Sequence, residues 1–440
     1  MRALFGTDGI RGVAGAYPLD DDTVSRIGAA LVSTLKEARG GPLELVLGCD
    51  TRESSESIAR AVHGGVASAG GSIEFAGVIT TPGVAWLVRR RRAAAGVVVS
   101  ASHNPWNDNG VKVFSSEGRK LPDELEARIE RRIPQSAPAP PRPLSTDRSL
   151  AGAYVEYLVG TLPHRLDGLT VVIDAAHGAA HEIAPRAFRE AGARVVPLAV
   201  DPDGRNINDG CGALHPQGMA RAVVEAKADL GIALDGDADR IVLADHEGRL
   251  LDGDDILFLW TLELTREGRK PDVVVGTVMS NWGLEKALSE RGVRLVRTPV
   301  GDRYVVEEME RLSAPLGGEP SGHLIRRDLS TTGDGTLTGL HLGALLAASG
   351  QPLASLPRLV HTPQVLKNVR VKQRVPFEEI PELDAEQKRC AALLGENGRI
   401  LLRYSGTEAL ARVMVEGSEP ELVERVAGSL ARTIQEAIGA

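Results

Sequence analysis

Cysteine is scarce in this chain. Its 440 residues include three, Cys49, Cys211 and Cys390, odd in number and far apart. That pattern fits reduced thiols in a cytoplasmic protein rather than a disulfide framework, and it offers no close metal-ligand spacing. Long apolar runs are missing too. No stretch is long enough to span a bilayer, and Met1-Arg2-Ala3-Leu4-Phe5-Gly6 carries no apolar export region, so no membrane partner is expected. An excess of positive charge is also lacking: 51 Lys and Arg against 59 Asp and Glu leave a net charge of −8. Nucleic acid is therefore not the expected partner, because binding its phosphate backbone needs clustered cations. A small anionic substrate stays open, since a local basic pocket can sit on an acidic exterior. The run Arg89–Arg92 reads as a solvated helix end. Neither G-x-x-x-x-G-K-[ST] nor G-x-G-x-x-G occurs, which withdraws support from nucleotide-binding enzymes built on those loops.

What is present is an ordinary globular composition, 42% hydrophobic and 25% charged, in a chain too long for one core. A single rhythm recurs three times. Strand Leu45–Leu47 leads to a helix near Ser54–Ser68 and strand Ser72–Phe75. Strand Val171–Asp174 leads to helix Ile183–Glu190 and strand Arg194–Pro197. Strand Val273–Gly276 leads to helix Leu284–Arg291 and strand Arg294–Val296. Valine-rich runs with Gly at the turn and a helix between them predict βαβ units. The Pro/Ala-rich stretch Pro134–Pro143 predicts a loop or linker. After Leu356–Pro363 the pattern changes to strands Leu366–Val371, Arg399–Arg403 and Arg412–Glu416 and a helix over Glu419–Ile438, with Ser418 and Glu421 spaced as a capping box. The fold class read here is α/β: three related α/β domains with mixed sheets plus a smaller C-terminal α+β domain. The expected bounds are 1–150, 151–253, 254–362 and 363–440.

Four segments carry candidate chemistry. In Ser100-Ala101-Ser102-His103-Asn104-Pro105 a hydroxyl sits on a loop leaving a buried strand, and Lys112 lies on the strand that returns. A serine beside a cation can carry a phosphoryl group; a plain Ser/Asn turn is the other reading. In Asp235-Gly236-Asp237-Ala238-Asp239-Arg240 three carboxylates fall within five residues. Their mutual repulsion calls for a bound cation or shifted pKa values, and oxygen ligands favour Mg²⁺ or Ca²⁺. An EF-hand is excluded, because its Gly position holds Arg240 and its terminal Glu position holds His246. In Gly317–His323, Glu319 and Ser321 suit vicinal sugar hydroxyls, and His323 suits an anion or a proton transfer. In Arg403-Tyr404-Ser405-Gly406-Thr407-Glu408, with Arg412 beyond, a guanidinium, hydroxyls and a Gly amide form an anion cradle. An ordinary turn explains each of the last two equally simply. His177 and His181 have i, i+4 spacing but no accompanying Glu, which argues against a zinc site.

These loops in this order, with Phe5-Gly6-Thr7-Asp8-Gly9-Ile10-Arg11-Gly12 before them, resemble the α-D-phosphohexomutase superfamily over essentially the whole chain. Asn206-Ile207-Asn208, Cys211-Gly212-Ala213 and Thr277-Val278-Met279-Ser280-Asn281 are similar to its bacterial branch acting on glucosamine phosphates. The resemblance implies four domains around a central cleft and reversible exchange of glucosamine 6-phosphate and glucosamine 1-phosphate. A phosphoserine enzyme and a glucosamine 1,6-bisphosphate intermediate would carry that exchange. It implies Ser102 as the phosphoserine, with one Mg²⁺ held by Ser102, Asp235, Asp237 and Asp239. Arg11, His103, Lys112 and Arg240 match basic or proton-handling positions. Glu319, Ser321 and His323 match the sugar loop, and Arg403, Ser405, Gly406, Thr407 and Arg412 the distal phosphate site. A hexose 1,6-bisphosphate is an implied activator, and the chain is expected as a monomer or homodimer.

Two residues depart from that pattern: Pro320 where Gln or Met is usual, and Ala409 where Pro is common. Pro320 keeps open a phosphomannomutase/phosphoglucomutase of broader specificity. A non-catalytic phosphosugar sensor and a serine hydrolase are the readings from other classes. The hydrolase is disfavoured because His103, next to Ser102 on an extended chain, would point away from it.

Overall fold

The valine-rich segments become the inner strands of three sheets in a computed structural model, which describes residues 4–6, 8–39, 43–405 and 409–440. In the first sheet Gly71–Val78, Leu43–Cys49 and Ala95–Val99 run parallel, and Asp108–Ser115 and Ile10–Val13 continue it antiparallel. The second repeats the order with Arg194–Leu198, Thr170–Asp174 and Leu230–Leu234 parallel, then Ile241–Asp245 and Leu250–Leu251 antiparallel. In the third, Val273–Thr277 pairs parallel with Leu316–Gly318, which pairs antiparallel with Leu324–Arg326. Ala95–Val99 and Leu230–Leu234 are buried along their whole length, which is why they read as unbroken apolar runs.

Each sheet therefore switches from parallel to antiparallel at one hairpin, and those hairpins are 100–107, 235–240 and 319–323. Three of the four segments singled out by chemistry occupy the same topological position in three related sheets. That shared position follows from the pairing order rather than from any one motif.

The chain groups into two compact units, Met1–Thr277 with Thr298–Arg358, and Val278–Arg297 with Leu359–Ala440. The larger contains helix Gly335–Ser349, buried on every side from Gly335 to Leu346, whose N-terminus is capped by Asp334 Oδ1 accepting from Leu337 N at 2.9 Å. The smaller has an antiparallel sheet in the order Gln364–Arg370, Leu410–Gly417, Gly398–Tyr404. Helices Pro381–Leu394 and Pro420–Ile438 join it in a core that includes Leu383, Val413, Val426 and Leu430. Its earlier chain segment is held by Asn281, whose Nδ2 donates to Thr362 O at 3.0 Å while its Oδ1 accepts from Thr362 N at 2.8 Å. Arg399 Nη2 adds a bond to Ser280 O at 2.7 Å.

Two local expectations are corrected. The last helix starts at Pro420, with Glu419 as N-cap and no side-chain capping bond. Proline at the first helical position fixes the entry φ and puts Ser418 one residue outside the cap, so the Ser418/Glu421 box does not form. The Pro-rich stretch is no free linker: Arg142 N donates to Arg60 O at 3.0 Å and Ala139 N to Ser25 Oγ at 2.9 Å, laying it along the first domain's helices. Among the described residues, no helix is long and apolar enough to cross a membrane.

Candidate active site

Strand Ala95–Val99 delivers the chain to Ser102, which is buried and has φ 52°. A non-glycine residue in that left-handed region carries a cost of roughly 1–3 kcal/mol, sustained only when its surroundings hold it. Ser102 Oγ donates to Asp235 Oδ2 at 2.7 Å and lies 3.3 Å from His103 Nδ1. The expectation that Ser102 and His103 point apart is thus corrected: it holds on an extended chain, and Ser102 is not extended. A hydrolytic triad still does not follow. His103 Nδ1 faces Arg240 Nη1 at 3.4 Å, and burial, Arg240 and Arg11 push its pKa down to about 4. A triad needs the reverse, a carboxylate that strengthens the base.

The acidic loop leaves strand Leu230–Leu234 and brings carboxylate oxygens of Asp235, Asp237 and Asp239 within 4.8 Å of one another, all three residues buried. Gly236 makes this approach feasible, because a Cβ there would meet Ser102 O at 2.5 Å. Burial, then the Asp239 and Asp237 charges, push Asp235 up to about 8. For Asp239 the opposing effect of burial is outweighed by Lys112, His323 and Arg240, and its pKa falls. Lys112, also buried, places Nζ 2.7 Å from Asp237 Oδ2, 3.0 Å from Asp8 Oδ2 and 3.7 Å from Asp239 Oδ2. Burial lowers the pKa of this ammonium, but those carboxylates outweigh it and raise the pKa above the ordinary lysine value. Asp237 Oδ1 and Asp239 Oδ1 are buried and accept no hydrogen bond from any described residue. Two orphaned oxygens in an all-carboxylate set fit a hard divalent cation.

The third hairpin pairs with the second: Arg240 bridges His323, and Ile241 N donates to Gly322 O at 3.1 Å. His323 is buried, accepts from Gly333 N at Nε2 (3.0 Å) and presents Nδ1 to Asp239 Oδ2 at 3.6 Å. Glu319 is buried and accepts from Gly301 N at 3.1 Å, whereas Ser321 is exposed. Pro320 O accepts from Gly253 N at 3.2 Å, which ties the loop to the start of helix Gly253–Arg266.

Arg11 Nη1 reaches Asn104 Oδ1 at 3.3 Å, and its other amino group pairs with Asp8. Within the smaller unit, Arg403 and Arg412 are direct cross-strand partners, and Ser405 N donates to Leu410 O at 2.8 Å. Gly406 and Thr407 lie outside the described residues. His181 Nδ1 is 3.0 Å from the Gly178 carbonyl, and neither the His177 nor the His181 ring joins a metal-capable cluster among the described residues.

Sequence reasoning passed over several contributors. Lys120 Nζ bridges Asp8 Oδ1 (2.5 Å) and Asp302 Oδ2 (2.6 Å), and Asp302 Oδ2 lies 3.7 Å from His323 Nε2. Lys120, Asp302, His323, Asp239, Lys112 and Asp8 thereby close a ring of alternating ionisable groups. Thr81 Oγ1 donates to Asp237 Oδ2 at 2.5 Å, and Arg52 and Asn208 reach the serine loop itself. Only for Asn208, inside the Asn206-Ile207-Asn208 motif, was there a local signal.

The chain matches the phosphoglucomutase/phosphomannomutase family in four consecutive parts. These are alpha/beta/alpha domain I over residues 2–139, domain II over 152–248, domain III over 252–362 and the C-terminal domain over 366–433. A phosphoglucosamine mutase of Solibacter usitatus is 49% identical over 442 residues, covering 99% of both chains. One from Anaeromyxobacter dehalogenans is 46% identical, covering 100% of both. A solved phosphoglucomutase/phosphomannomutase family protein of Burkholderia thailandensis superposes with a TM-score of 0.84 at 24% identity, over 99% of this chain and 98% of that one, which shows a common fold.

Proposed function

Because the chain belongs to the phosphoglucomutase/phosphomannomutase family, we propose that it interconverts glucosamine 6-phosphate and glucosamine 1-phosphate through a phosphorylated Ser102. The observation that carries this reading is Ser102 Oγ held on Asp235, at the edge of a carboxylate cluster with unsatisfied oxygens. The phosphoryl group leaves Ser102 Oγ for the free hydroxyl of the sugar phosphate, giving the 1,6-bisphosphate. After the intermediate turns round, its other phosphate returns to Ser102. Asp235, Asp237 and Asp239, with Ser102, would hold Mg²⁺, which when bound supplies positive charge beside the transferring group.

Lys112 stays protonated because its carboxylate neighbours hold it so; it neutralises charge rather than accepting the hydroxyl proton. His103 is assigned to handling that proton on its position, 3.3 Å from Ser102 Oγ; burial, Arg240 and Arg11 keep it neutral at pH 7 and make it a weak base. Arg240 and Arg11 add fixed positive charge beside it. Glu319, Ser321 and His323 are assigned to the sugar, and Arg403, Ser405, Gly406, Thr407 and Arg412 to the idle phosphate. A preorganised donor at a developing charge is worth about 2.7–4 kcal/mol, so a site with several fixed cations can supply much of the required acceleration.

Pro320 favours a second reading, broader hexose specificity, because it lacks a side-chain donor and a backbone N–H in the sugar loop. A coupled assay with Mg²⁺ on glucosamine, glucose and mannose 1-phosphates separates the two. Preference for the amino sugar supports the first, and equal rates support the second. Ser102→Ala should lose turnover while keeping sugar-phosphate affinity; substantial mutase activity in that variant would remove Ser102 from its role.

A further inference from the structure

The serine loop is gripped from two sides. Arg52 Nη2 donates to Ser102 O at 3.1 Å and to Asn104 O at 2.6 Å. Asn208 Nδ2 donates to the same two oxygens, at 3.0 Å and 3.2 Å. A carbonyl oxygen has two lone pairs, so each of these acceptors is filled. The grip is itself built in. Arg52 is buried, its other amino group pairs with Asp50, and Asp50 Oδ1 accepts from Arg52 N at 3.0 Å and from Ser55 Oγ at 2.6 Å. Asn208, at φ 60°, is fixed by its N–H donating to Ala176 O at 2.9 Å. Just before it, Arg205 lies 5.0 Å over the Trp106 ring and pairs with Glu53, so the 204–208 segment lies along the serine loop from Trp106 to Ser102.

We infer that Arg52 and Asn208 are positioning residues that hold Ser102 in its left-handed backbone conformation and so aim Oγ at Asp235. The inference rests on the reading of Ser102 as the phosphate carrier. Fixing the carbonyl of residue 102 fixes the peptide plane after its Cα, while the plane before it is held by Ser102 N donating to Ser100 Oγ at 3.0 Å and by Ala101 O accepting from Asn104 N at 3.1 Å, so the two planes together set the direction of the Ser102 Cα–Cβ bond. Released to the ordinary extended region, the same backbone would swing Oγ away from Asp235. Neither residue needs to touch the sugar, so their effect falls on the chemical step rather than on substrate affinity. The donor matters, not the volume: Asp at position 208 keeps the shape of Asn but turns an acceptor toward two acceptors.

The test uses the full chain with Mg²⁺ and glucosamine 1-phosphate. Misplacing a reacting atom by about 1 Å costs on the order of 10²-fold, and Asn208→Ala should lower kcat by about that factor with KM held within roughly twofold. Asn208→Asp should be slower than Asn208→Ala, although packing alone would rank it the milder change. Arg52→Lys, which keeps charge but loses the fork, should fall between Asn208→Ala and the unaltered protein. A kcat for Asn208→Ala within about threefold of the unaltered protein, or a faster Asn208→Asp, overturns the inference. Hydrogen exchange of the peptide covering residues 100–106 reads the loop without any turnover: it should quicken in Asn208→Ala, and unchanged exchange overturns the inference. If Asn208→Ala does not fold, the exchange comparison is made on the near-isosteric Asn208→Asp. An unaltered protein that converts none of the hexose phosphates sinks the proposed function, and the exchange result then decides the positioning claim by itself.

Discussion

Lys112 shows how much of this site rests on single charges. Its buried Nζ neutralises Asp237 and Asp8 at hydrogen-bonding distance, with Asp239 slightly beyond. Removing one partner of a buried ion pair costs about 3–5 kcal/mol, because the charge left behind has neither water nor counterion. Lys112→Met is therefore expected to lower the urea midpoint clearly. Mg²⁺ should raise the Tm of both proteins and recover part of the loss in the variant, since a ligand at about 100 times its Kd adds about 2.7 kcal/mol. A Tm indifferent to Mg²⁺ in both proteins would argue against the carboxylate cluster as a cation site. Sequence spacing shows three aspartates close together. It does not show that Lys112, over a hundred positions away, is the ammonium that lets them be buried, since that depends on where two separate sheets meet.

At the scale of elements, the repeated sheet explains why chemistry gathers where it does. Strands Ala95–Val99, Leu230–Leu234 and Leu316–Gly318 each end at the hairpin where pairing turns antiparallel. The valine runs reveal the strands, but their order in the sheet is a long-range property that periodicity does not encode. Helix Gly335–Ser349 gives the pH-dependent element. His341 on it is buried, its Nε2 3.1 Å from Thr161 Oγ1 and its Nδ1 3.5 Å from Arg326 Nη1. Burial and the Arg326 charge push it from 6.5 down to about 3. Between those values the unfolded chain binds the proton and the folded protein does not, so stability falls as pH drops. The contribution is complete above the unfolded value and lost as pH falls through the folded one. His341→Gln should flatten the acid limb of a Tm–pH profile; an unchanged limb would show that other groups dominate it.

At the scale of the molecule, the smaller unit is assembled from two stretches of chain, Val278–Arg297 and Leu359–Ala440. Asn281 joins them through paired bonds to Thr362, and both bonds are buried. Asn281→Ala leaves that N–H and carbonyl without these partners, at about 1–3 kcal/mol for a buried unsatisfied group. Hydrogen exchange near residue 362 should quicken in the variant while the sheet around Ser102 is unaffected. Equal exchange at both places would mean the clasp contributes little. The third repeat in the sequence points to helix Leu284–Arg291 and strand Arg294–Val296, and helix Trp282–Ser289 and strand Arg294–Thr298 form there. Which unit the helix joins is decided by the side chains it meets, not by its own periodicity.

Read alone, the sequence carries the βαβ rhythm, the smaller final domain, the family resemblance and the candidate side chains of the loops, because these are local patterns of burial, turn chemistry and charge. The tertiary structure decided the left-handed Ser102, the closeness of His103, the burial of Lys112 among aspartates and the grip of Arg52 and Asn208 on two carbonyls. Each of these depends on groups 50 or more residues apart arriving at one point, or on a backbone angle that neighbours in space impose. For the long-range contacts, no short window of sequence contains both partners.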